Sequence, residues 1–252
     1  MRLTILGSGT LVPNGGRNSA GYFLEAGGIR LMMDCGAGTL HALARYALPW
    51  EHMTHLFVSH FHVDHVAEMP SVLHALKWGA TPKRVAPLAI IGPQGLDRVV
   101  NGFKQALGDS VFETGFPVAL RIVDPGCTLD LAKHCILSVV KTPHTEESIA
   151  VRVQSGSSSV CYTGDTAFSE EAADFFGGCS LMISECSYKE RKPGLAHLCI
   201  DDVARMATRA RAERLVVTHR YFDANEADLK QALARNYSGQ IFVGSDGMAF
   251  EL

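Results

Sequence analysis

The sequence lacks several features that would assign it to a specialised class of protein. It has no apolar run as long as the roughly 18 residues of a membrane helix, and its short apolar start has no small-residue cleavage pattern. It also has no basic excess, because 23 lysines and arginines stand against 26 aspartates and glutamates, with a net charge of −3. Proteins that bind nucleic acid through its charge usually show the opposite balance. These absences argue against a membrane protein and against a general nucleic-acid binder.

Paired cysteines are also absent, since the seven cysteines are scattered and none forms a Cys-x-x-Cys pair. An odd number of isolated cysteines without an export signal is typical of reduced, buried thiols, so we expect a cytoplasmic protein. Hydrophobic residues make up 47% of the 252 residues and charged residues 19%, as in globular enzymes. We therefore expect one α/β domain over residues 1–252.

Short apolar runs that end abruptly in a polar residue recur along the chain. Such runs are typical of buried strands, and α/β folds bind ligands just past the carboxyl ends of their strands. We expect these ends to build one site from loops at one sheet edge. The polar residues that follow the runs are Asp34, Ser59 with His60, His144, Asp165, Glu185 and His219.

Apolar residues at helical spacing predict five helices between the strands. These segments are 38–48, 66–78, 95–107, 201–212 and 227–235. Cys199 or Asp201 lies where the N-cap of the fourth helix is expected. Clusters of proline and glycine predict loops near 79–95 and 108–126. A group of basic residues predicts a solvated surface. It consists of Lys77, Lys83, Arg84, Arg98 and Lys104.

The segment 59–65 reads Ser-His-Phe-His-Val-Asp-His and directly follows an apolar run. His60 and His62 are two residues apart, so in extended chain their side chains project to the same side and are able to share a metal ion. If the chain then turns, Asp64 and His65 face a second ion. Polar groups at such density near a core would be costly without a cation. The spacing therefore predicts two metal ions.

The string His-x-His-x-Asp-His, followed by His144, by Asp165 in Tyr-Thr-Gly-Asp-Thr and by His219 in Val-Thr-His, resembles the metallo-β-lactamase fold superfamily. The resemblance covers essentially the whole chain. It implies an αβ/βα four-layer sandwich of two mixed β-sheets flanked by helices. A cysteine at the second metal, typical of the zinc β-lactamases, is replaced by Asp165, which disfavours antibiotic hydrolysis.

The resemblance also implies a set of metal ligands. One ion would be bound by His60, His62 and His144, the other by Asp64, His65 and His219, with Asp165 bridging both and Asp34 orienting a ligand histidine from behind. All of these donors are nitrogen or oxygen atoms. That donor set suits Zn²⁺, which we expect, and also Mn²⁺ or iron.

Further motifs resemble ribonuclease Z and related phosphodiesterases. Arg17 and Asn18 match the end of the N-terminal loop of ribonuclease Z, whereas Gly15 stands where that family has a lysine. Glu185 and His197 match its late Glu and His motifs, although Cys199 replaces the serine or threonine that follows. The interval between His65 and His144 shows no Gly/Pro-rich arm for tRNA. The resemblance therefore implies an armless relative.

This branch implies a metal-dependent hydrolase in which a hydroxide bridging the two ions attacks a phosphodiester. Asp64 would accept or orient the proton of the water, and His197, held by Glu185, would protonate the leaving group. A small or nucleotide phosphodiester is the expected substrate. The alternatives are tRNA 3′-end cleavage, with RNA as the partner, hydrolysis of an ester, thioester or lactone, and a non-catalytic metal-binding module. The segment 39–48 is a candidate for a homodimer contact.

Overall fold

The computed structural model describes residues 1–252 and contains two β-sheets of seven strands each. In chain order the strands are β1 (Arg2–Gly7), β2 (Gly21–Ala26), β3 (Ile29–Met33), β4 (His55–Phe57), β5 (Leu88–Gly92), β6 (Val118–Ile122), β7 (Thr128–Ala132), β8 (Cys135–Lys141), β9 (Ile149–Ser155), β10 (Ser158–Tyr162), β11 (Leu181–Glu185), β12 (Arg214–Thr218), β13 (Gln240–Val243) and β14 (Ala249–Glu251). The first sheet has the order β14-β1-β2-β3-β4-β5-β6, and the second has the order β13-β12-β11-β10-β9-β8-β7.

Both sheets are mixed. Strands β3 to β6 are parallel in the first sheet, and β10 to β13 are parallel in the second. Strand β9 is antiparallel to both β8 and β10, so β8 runs in the same direction as β10. Five of the polar residues that follow apolar runs in the sequence lie just past the carboxyl ends of β3, β4, β8, β10 and β12, where α/β sheets bind ligands. Asp34 follows β3, His60 follows β4, His144 follows β8, Asp165 follows β10 and His219 follows β12.

The two sheets pack face to face through a core of 23 buried apolar residues. Successive residues of a strand point to opposite faces. Leu31 and Met33 enter this core, whereas Met32 between them packs under the helices that cover the first sheet. In β12, Val216 enters the core and its two neighbours face the helices of the second sheet. Because both faces are covered, these strands are continuous apolar runs, the pattern by which the sequence predicts them.

Helices cover the outer face of each sheet. They are α1 (Thr39–Arg45), α2 (Val63–Val66), α3 (Met69–Trp78), α4 (Leu96–Leu107), α5 (Glu170–Phe175), α6 (Ile200–Arg209) and α7 (Glu226–Leu233). The helices α1, α3 and α4 pack on the first sheet and α5, α6 and α7 on the second, through clusters of 20 and 22 buried apolar residues. The predicted four-layer sandwich is therefore confirmed. None of the helices combines the length and apolar character that crossing a membrane requires.

The five predicted helices are present, with differences at their ends. The segment 66–78 is divided, because Pro70 in the first turn of α3 has no N–H with which to continue an earlier helix. Cys199 is the N-cap residue of α6, but its thiol donates to the Asp202 carboxylate at 3.2 Å and does not cap the backbone. Helix α5 was not predicted, since six residues are too few for a periodic signal.

Two sequence predictions are wrong in the region after α3. The segments 79–95 and 108–126 were predicted to be loops, but they contain β5 and β6. The prolines lie outside both strands, and Gly92 is the last residue of β5. Arg84 was predicted to be solvated, but it is 8% exposed. Its guanidinium donates to the carbonyl oxygens of Glu51 at 2.9 Å and of Met53 and Pro87 at 2.7 Å. This arginine therefore satisfies loop carbonyls that would otherwise lack a partner.

Candidate metal centre and active site

All seven predicted ligand residues lie together at the carboxyl edge of the two sheets. They form two groups of donor atoms, each with its atoms within 4.8 Å of one another. The first group contains His60, His62, His144 and Asp165, and the second contains Asp64, His65 and His219. Both sheets contribute, so the arrangement exists only when the two halves of the chain are packed together.

The backbone of the segment 59–65 explains how neighbouring residues serve different groups. His62 is extended, with φ −64° and ψ 147°, and α2 begins directly after it at Val63. His60 and His62 therefore project to one side, as expected for alternate residues of extended chain. Asp64 and His65 lie on the helical turn and point to the second group. The turn predicted from the spacing is present.

Asp165 lies between the two groups, with one carboxylate oxygen facing each. Its Oδ2 atom is 3.8 Å from Nε2 of His60 and 3.8 Å from Nε2 of His144. Its Oδ1 atom is 3.4 Å from Nε2 of His65 and 3.5 Å from Nε2 of His219. A carboxylate in this position is able to contact a cation in each group, which is what a bridging ligand does.

Three donor atoms of the cluster lack the partners that buried polar atoms normally have. Nε2 of His60, Nε2 of His65 and Oδ1 of Asp165 are buried and form no hydrogen bond. Such groups are rare in native proteins and cost free energy unless an ion or water satisfies them. Nδ1 of His62 and Nε2 of His144 are 3.0 Å apart. Nitrogen and oxygen donors that converge without partners fit divalent transition-metal ions.

Charges within the cluster also favour cations. Burial disfavours ionisation of Asp165, but His219 and His65 outweigh burial and hold the pKa of its carboxyl well below the usual range. The carboxylate is thus ionised while only 3% exposed. Burial, reinforced by His65, lowers the pKa of His60 well below its usual value, so this imidazole is neutral. A neutral imidazole beside a buried carboxylate is the form that binds a metal.

Asp34 orients His65 from behind. Its Oδ2 atom accepts hydrogen bonds from Nδ1–H of His65 and from the Tyr162 hydroxyl, both at 2.7 Å. The N–H and the hydroxyl of Ser59 donate to the two Asp34 oxygens, also at 2.7 Å each. Each bond to a charged group contributes about 1.5–3 kcal/mol. Because Nδ1 carries the proton, Nε2 of His65 is left as the free donor atom toward the cluster.

Three other histidines are oriented in the same way through Nδ1. Ser59, whose hydroxyl proton goes to Asp34, accepts from Nδ1–H of His60 at 3.0 Å. The carbonyl oxygen of Ala196 accepts from Nδ1–H of His144 at 2.8 Å. The Ser187 hydroxyl accepts from Nδ1–H of His219 at 3.2 Å. Each of these rings therefore turns its Nε2 atom toward the cluster, where Nε2 of His219 lies 3.2 Å from Oδ2 of Asp64, whereas His62 presents Nδ1.

Glu185 and His197 form a pair beside the cluster. Oε1 of Glu185 accepts from Nδ1–H of His197 at 2.9 Å, and Oε2 accepts the Ser187 hydroxyl at 2.6 Å. The His197 ring lies 4.7 Å from the His144 ring and is 14% exposed. Burial lowers the pKa of His197, but Glu185 outweighs it, so the pKa is raised overall. His197 therefore keeps a second ring proton to a higher pH than a free imidazole does, and its ring faces the cluster.

Two strand ends turn sharply to deliver their side chains. Asp34 and His219 have φ values of +58° and +51°, in the left-handed region that Asp and His enter more readily than most residues. The chain after Asp34 then runs against the ligand segment, since a Cβ on Gly36 would lie 2.0 Å from the Asp64 carbonyl oxygen. Only glycine allows that approach. The approach brings the N–H of Cys35 to the His65 carbonyl oxygen, to which it donates at 2.7 Å.

Two cavities adjoin the cluster and share Tyr221. One measures about 530 Å³ and is lined by Ser187, by Tyr188 and by basic residues that follow them. The rings of Tyr188 and Tyr221 are nearly parallel, with centres 5.9 Å apart, and Nζ of Lys192 lies 4.2 Å from the centre of the Tyr188 ring. The other cavity measures about 240 Å³ and lies beside Arg17 and Arg220.

The family to which the fold and site belong follows from comparison with known proteins. The family model described as Anti-Pycsar protein Apyc1 matches residues 1–237. The chain belongs to the Apyc1 family. This Apyc1-family chain is also 25% identical to the probable metallo-hydrolase YhfI of Bacillus subtilis over 254 aligned residues, with 100% of both proteins covered. It is 25% identical to ribonuclease Z of Haloferax volcanii, covering 100% of this chain and 95% of that protein.

Solved structures share the fold of the Apyc1-family chain. The crystal structure of YhfI matches with a TM-score of 0.84 and 24% identity, covering 100% of this chain and 98% of YhfI. The short form of human tRNase Z matches with a TM-score of 0.79 and 21% identity, covering 100% of this chain and 99% of that one. The prediction of a ribonuclease Z-like, metal-dependent hydrolase with the metallo-β-lactamase fold is confirmed.

The structure of the Apyc1-family chain also shows which residues sequence reasoning missed. Ser59, Tyr162 and Ser187 set the orientation of the histidines, but none carries a metal-ligand pattern of its own. Their neighbours offered a signal, because Ser59 directly precedes His60 and Ser187 lies two residues after Glu185. The interval between His65 and His144 forms helices and strands that belong to the sandwich, as expected without a tRNA arm.

Replacing Asp34 by asparagine tests the support of His65. In the wild type, the donors of His65, Tyr162 and Ser59 meet two carboxylate oxygens of Asp34. An asparagine replaces one of these oxygens by an NH₂ group, which does not accept hydrogen bonds, and it removes the charge that orients the imidazole. We expect the affinity for divalent ions to fall by about 10- to 100-fold, the usual effect of losing such a partner. Competition with a chromogenic chelator measures it. Asp130→Asn, on the exposed face of β7, is the matched control, and equal affinities in both variants would contradict the role of Asp34.

Proposed function

We propose that the protein is a phosphodiesterase that hydrolyses a small nucleotide phosphodiester with two divalent ions, of which Zn²⁺ is the first choice. The observation that supports this most directly is the placement of Asp165, with one oxygen facing each group of donors. The proposed ligands are those of the two groups, with Asp165 shared. Because they come from both sheets, we also propose that residues 1–252 form a single domain.

When bound, the ions would supply a water of lowered pKa and positive charge for the phosphoryl oxygens. The protein itself contributes position and proton transfer, which dominate catalysis of phosphoryl transfer. Asp64 is 3% exposed, and its Oδ2 atom lies 3.2 Å from Nε2 of His219. We assign it the task of orienting the attacking water and accepting its proton.

His197 is assigned the protonation of the leaving oxygen. Its Nδ1 atom is held by Glu185 at 2.9 Å, which leaves Nε2 for the substrate. Glu185 raises the pKa of His197 against the effect of burial, which is the direction that a general acid requires. Glu185 is 1% exposed and also accepts the N–H of Thr166 at 2.7 Å, so it is a fixed support for His197.

The surroundings of the cluster support a nucleotide as the substrate. Tyr188 and Tyr221 offer aromatic faces beside His197, and bases stack well on such rings. Lys189 and Lys192 line the same cavity and provide positive charge for phosphate. Because the chain has no arm for a tRNA body, a small nucleotide, including a cyclic nucleotide, fits the site better than a folded RNA. A second candidate, tRNA 3′-end cleavage, is favoured by the similarity to proteins named ribonuclease Z.

Metal analysis and a substrate panel test the proposed function together. The panel compares bis(p-nitrophenyl) phosphate, cyclic nucleotides, a precursor tRNA and a lactone, with Asp165→Ala as the blank. We expect two divalent ions per chain, turnover of the phosphodiesters and no turnover of the lactone. Turnover of precursor tRNA in preference to nucleotides would establish the second candidate. Turnover of the lactone alone would contradict phosphodiester hydrolysis.

A further inference from the structure

A separate basic cavity lies beside the metal cluster, between the N-terminal loop and the loop that follows β12. It has a volume of about 240 Å³, and only two of its nine lining residues are hydrophobic. Arg17 from the first loop and Arg220 from the second both line it. These residues are far apart in sequence, and the fold alone places two guanidinium groups around one space.

The positive charge in this cavity is poorly compensated. Nη1 of Arg17 and Nε of Arg220 are buried and have no hydrogen-bond partner. The guanidinium of Arg220 forms no ion pair, and Arg17 contacts only Asp223, at 3.3 Å, through a carboxylate that is 93% exposed. Such an exposed pair is weak.

Two further side chains of the cavity have donors to spare. The hydroxyl of Thr10 accepts the N–H of Val12 at 3.1 Å, and the side-chain oxygen of Asn14 accepts the N–H of Gly16 at 2.9 Å. The hydroxyl proton of Thr10 and the NH₂ group of Asn14 form no hydrogen bond. The cavity therefore presents several hydrogen-bond donors, and its one acidic lining residue, Asp223, is 93% exposed. A lining rich in donors is the chemistry of an oxyanion site.

The cavity is connected to the metal cluster through the backbone around His219 and through Tyr221. Arg220 directly follows His219, whose N–H donates to the carbonyl oxygen of Ser8 at 2.8 Å, next to the loop that lines the cavity. Tyr221 lines the cavity, and its ring centre lies 5.6 Å from that of His219. Tyr221 therefore lies between the cavity and the cluster.

We propose that the Arg17–Arg220 cavity binds a second phosphate of the substrate, adjacent to the phosphodiester that is hydrolysed at the cluster. Planar guanidinium groups bind phosphate with two parallel hydrogen bonds, which suits two arginines that enclose one space. The inference rests on the proposed function for the bond that is cleaved. It adds that the substrate carries two phosphate groups. The second is either a terminal phosphomonoester of a nucleotide or the next diester of an oligonucleotide.

Calorimetric binding of product analogues to the metal-loaded protein tests this without turnover. We expect a nucleoside 3′,5′-bisphosphate to bind about tenfold more tightly than the 5′-monophosphate, since bonds to charged groups are strong. Arg220→Gln and Arg17→Gln, on different loops, should each remove this preference, and Arg220→Lys should retain part of it. Arg235→Gln, an exposed arginine just after α7, is the matched control. Thermal denaturation confirms that each variant is folded.

The outcomes separate this inference from the proposed function. Equal binding of the two nucleotides by the wild type, or an equal loss for both in Arg220→Gln, would overturn the second-phosphate site even if diesters are hydrolysed. A preference that depends on Arg220 in a protein that hydrolyses no diester would overturn the proposed function alone. The effect of Arg220→Gln on the KM of two substrates identifies which kind of second phosphate the cavity binds. An effect of Arg220→Gln on a diester with a terminal phosphomonoester indicates a nucleotide, and an effect on a trinucleotide indicates an oligonucleotide.

Discussion

Replacement of Asp165 by asparagine is expected to lower kcat/KM for phosphodiesters by about 10³-fold or more, the upper range for loss of one electrostatic contact. The substitution keeps the shape of the side chain but replaces one of the two oxygens that face the donor groups by an NH₂ group, which is unable to bind a cation. The bound metal should fall from two ions per chain to one or none. Steady-state kinetics and elemental analysis of the same preparation measure both effects.

The matched control for Asp165→Asn is Asp130→Asn, which changes an exposed carboxylate on β7. It should keep full activity and metal content. Circular dichroism establishes that both variants are folded. This check is needed because Asp165 is 3% exposed and five histidines lie within 4.0 Å of its carboxylate. Full activity of Asp165→Asn with two bound ions would refute the bridging role and, with it, the proposed arrangement of the metal centre.

Replacement of His197 by glutamine is expected to have an effect that depends on the leaving group. For an alkoxide leaving group, such as a nucleotide ribose oxygen, kcat should fall by about 10²- to 10⁴-fold, the range for loss of a general acid. For p-nitrophenolate, which leaves without a proton, the decrease should be small. Glu185→Gln should show the same pattern more weakly, because it removes the charge that raises the pKa of His197.

A comparison of bis(p-nitrophenyl) phosphate with a dinucleotide in the same buffer measures this dependence. His41→Gln, an exposed histidine of α1, is the control for an indirect effect of losing an imidazole. If His197→Gln slows both substrates by the same factor, His197 does not protonate the leaving group. Its contact with the cluster would then indicate a role in binding the phosphoryl group.

Much of the fold was predictable because its signals are local. The apolar runs that end in Asp34, His60, Asp165 and His219 are strands covered on both faces, and that burial requires the continuous apolar pattern seen in the sequence. Strands β5 and β6 were missed because flanking glycine and proline residues outweighed two short apolar segments. Helix α5 was missed because a six-residue helix is too short to show a period.

The metal-ligand residues were predictable for a similar reason. His60, His62, Asp64 and His65 lie within one segment, and an extended chain followed by a helical turn divides them between two groups. The sequence gives both the type of each donor and the spacing between the donors. The partners that orient these rings are different, since serine, tyrosine and a backbone carbonyl occur throughout any protein and become meaningful only by proximity.

The sequence by itself determined the superfamily, the strands that carry the ligand residues and the set of side chains that converge on the site. The tertiary structure alone decided that Asp165 directs one oxygen to each group, that Ser59, Ser187 and the Ala196 carbonyl fix the rings, and that Arg17 meets Arg220. The physical reason is distance along the chain. Backbone geometry links each residue to its near neighbours, whereas these contacts depend on how two sheets pack together through a shared core.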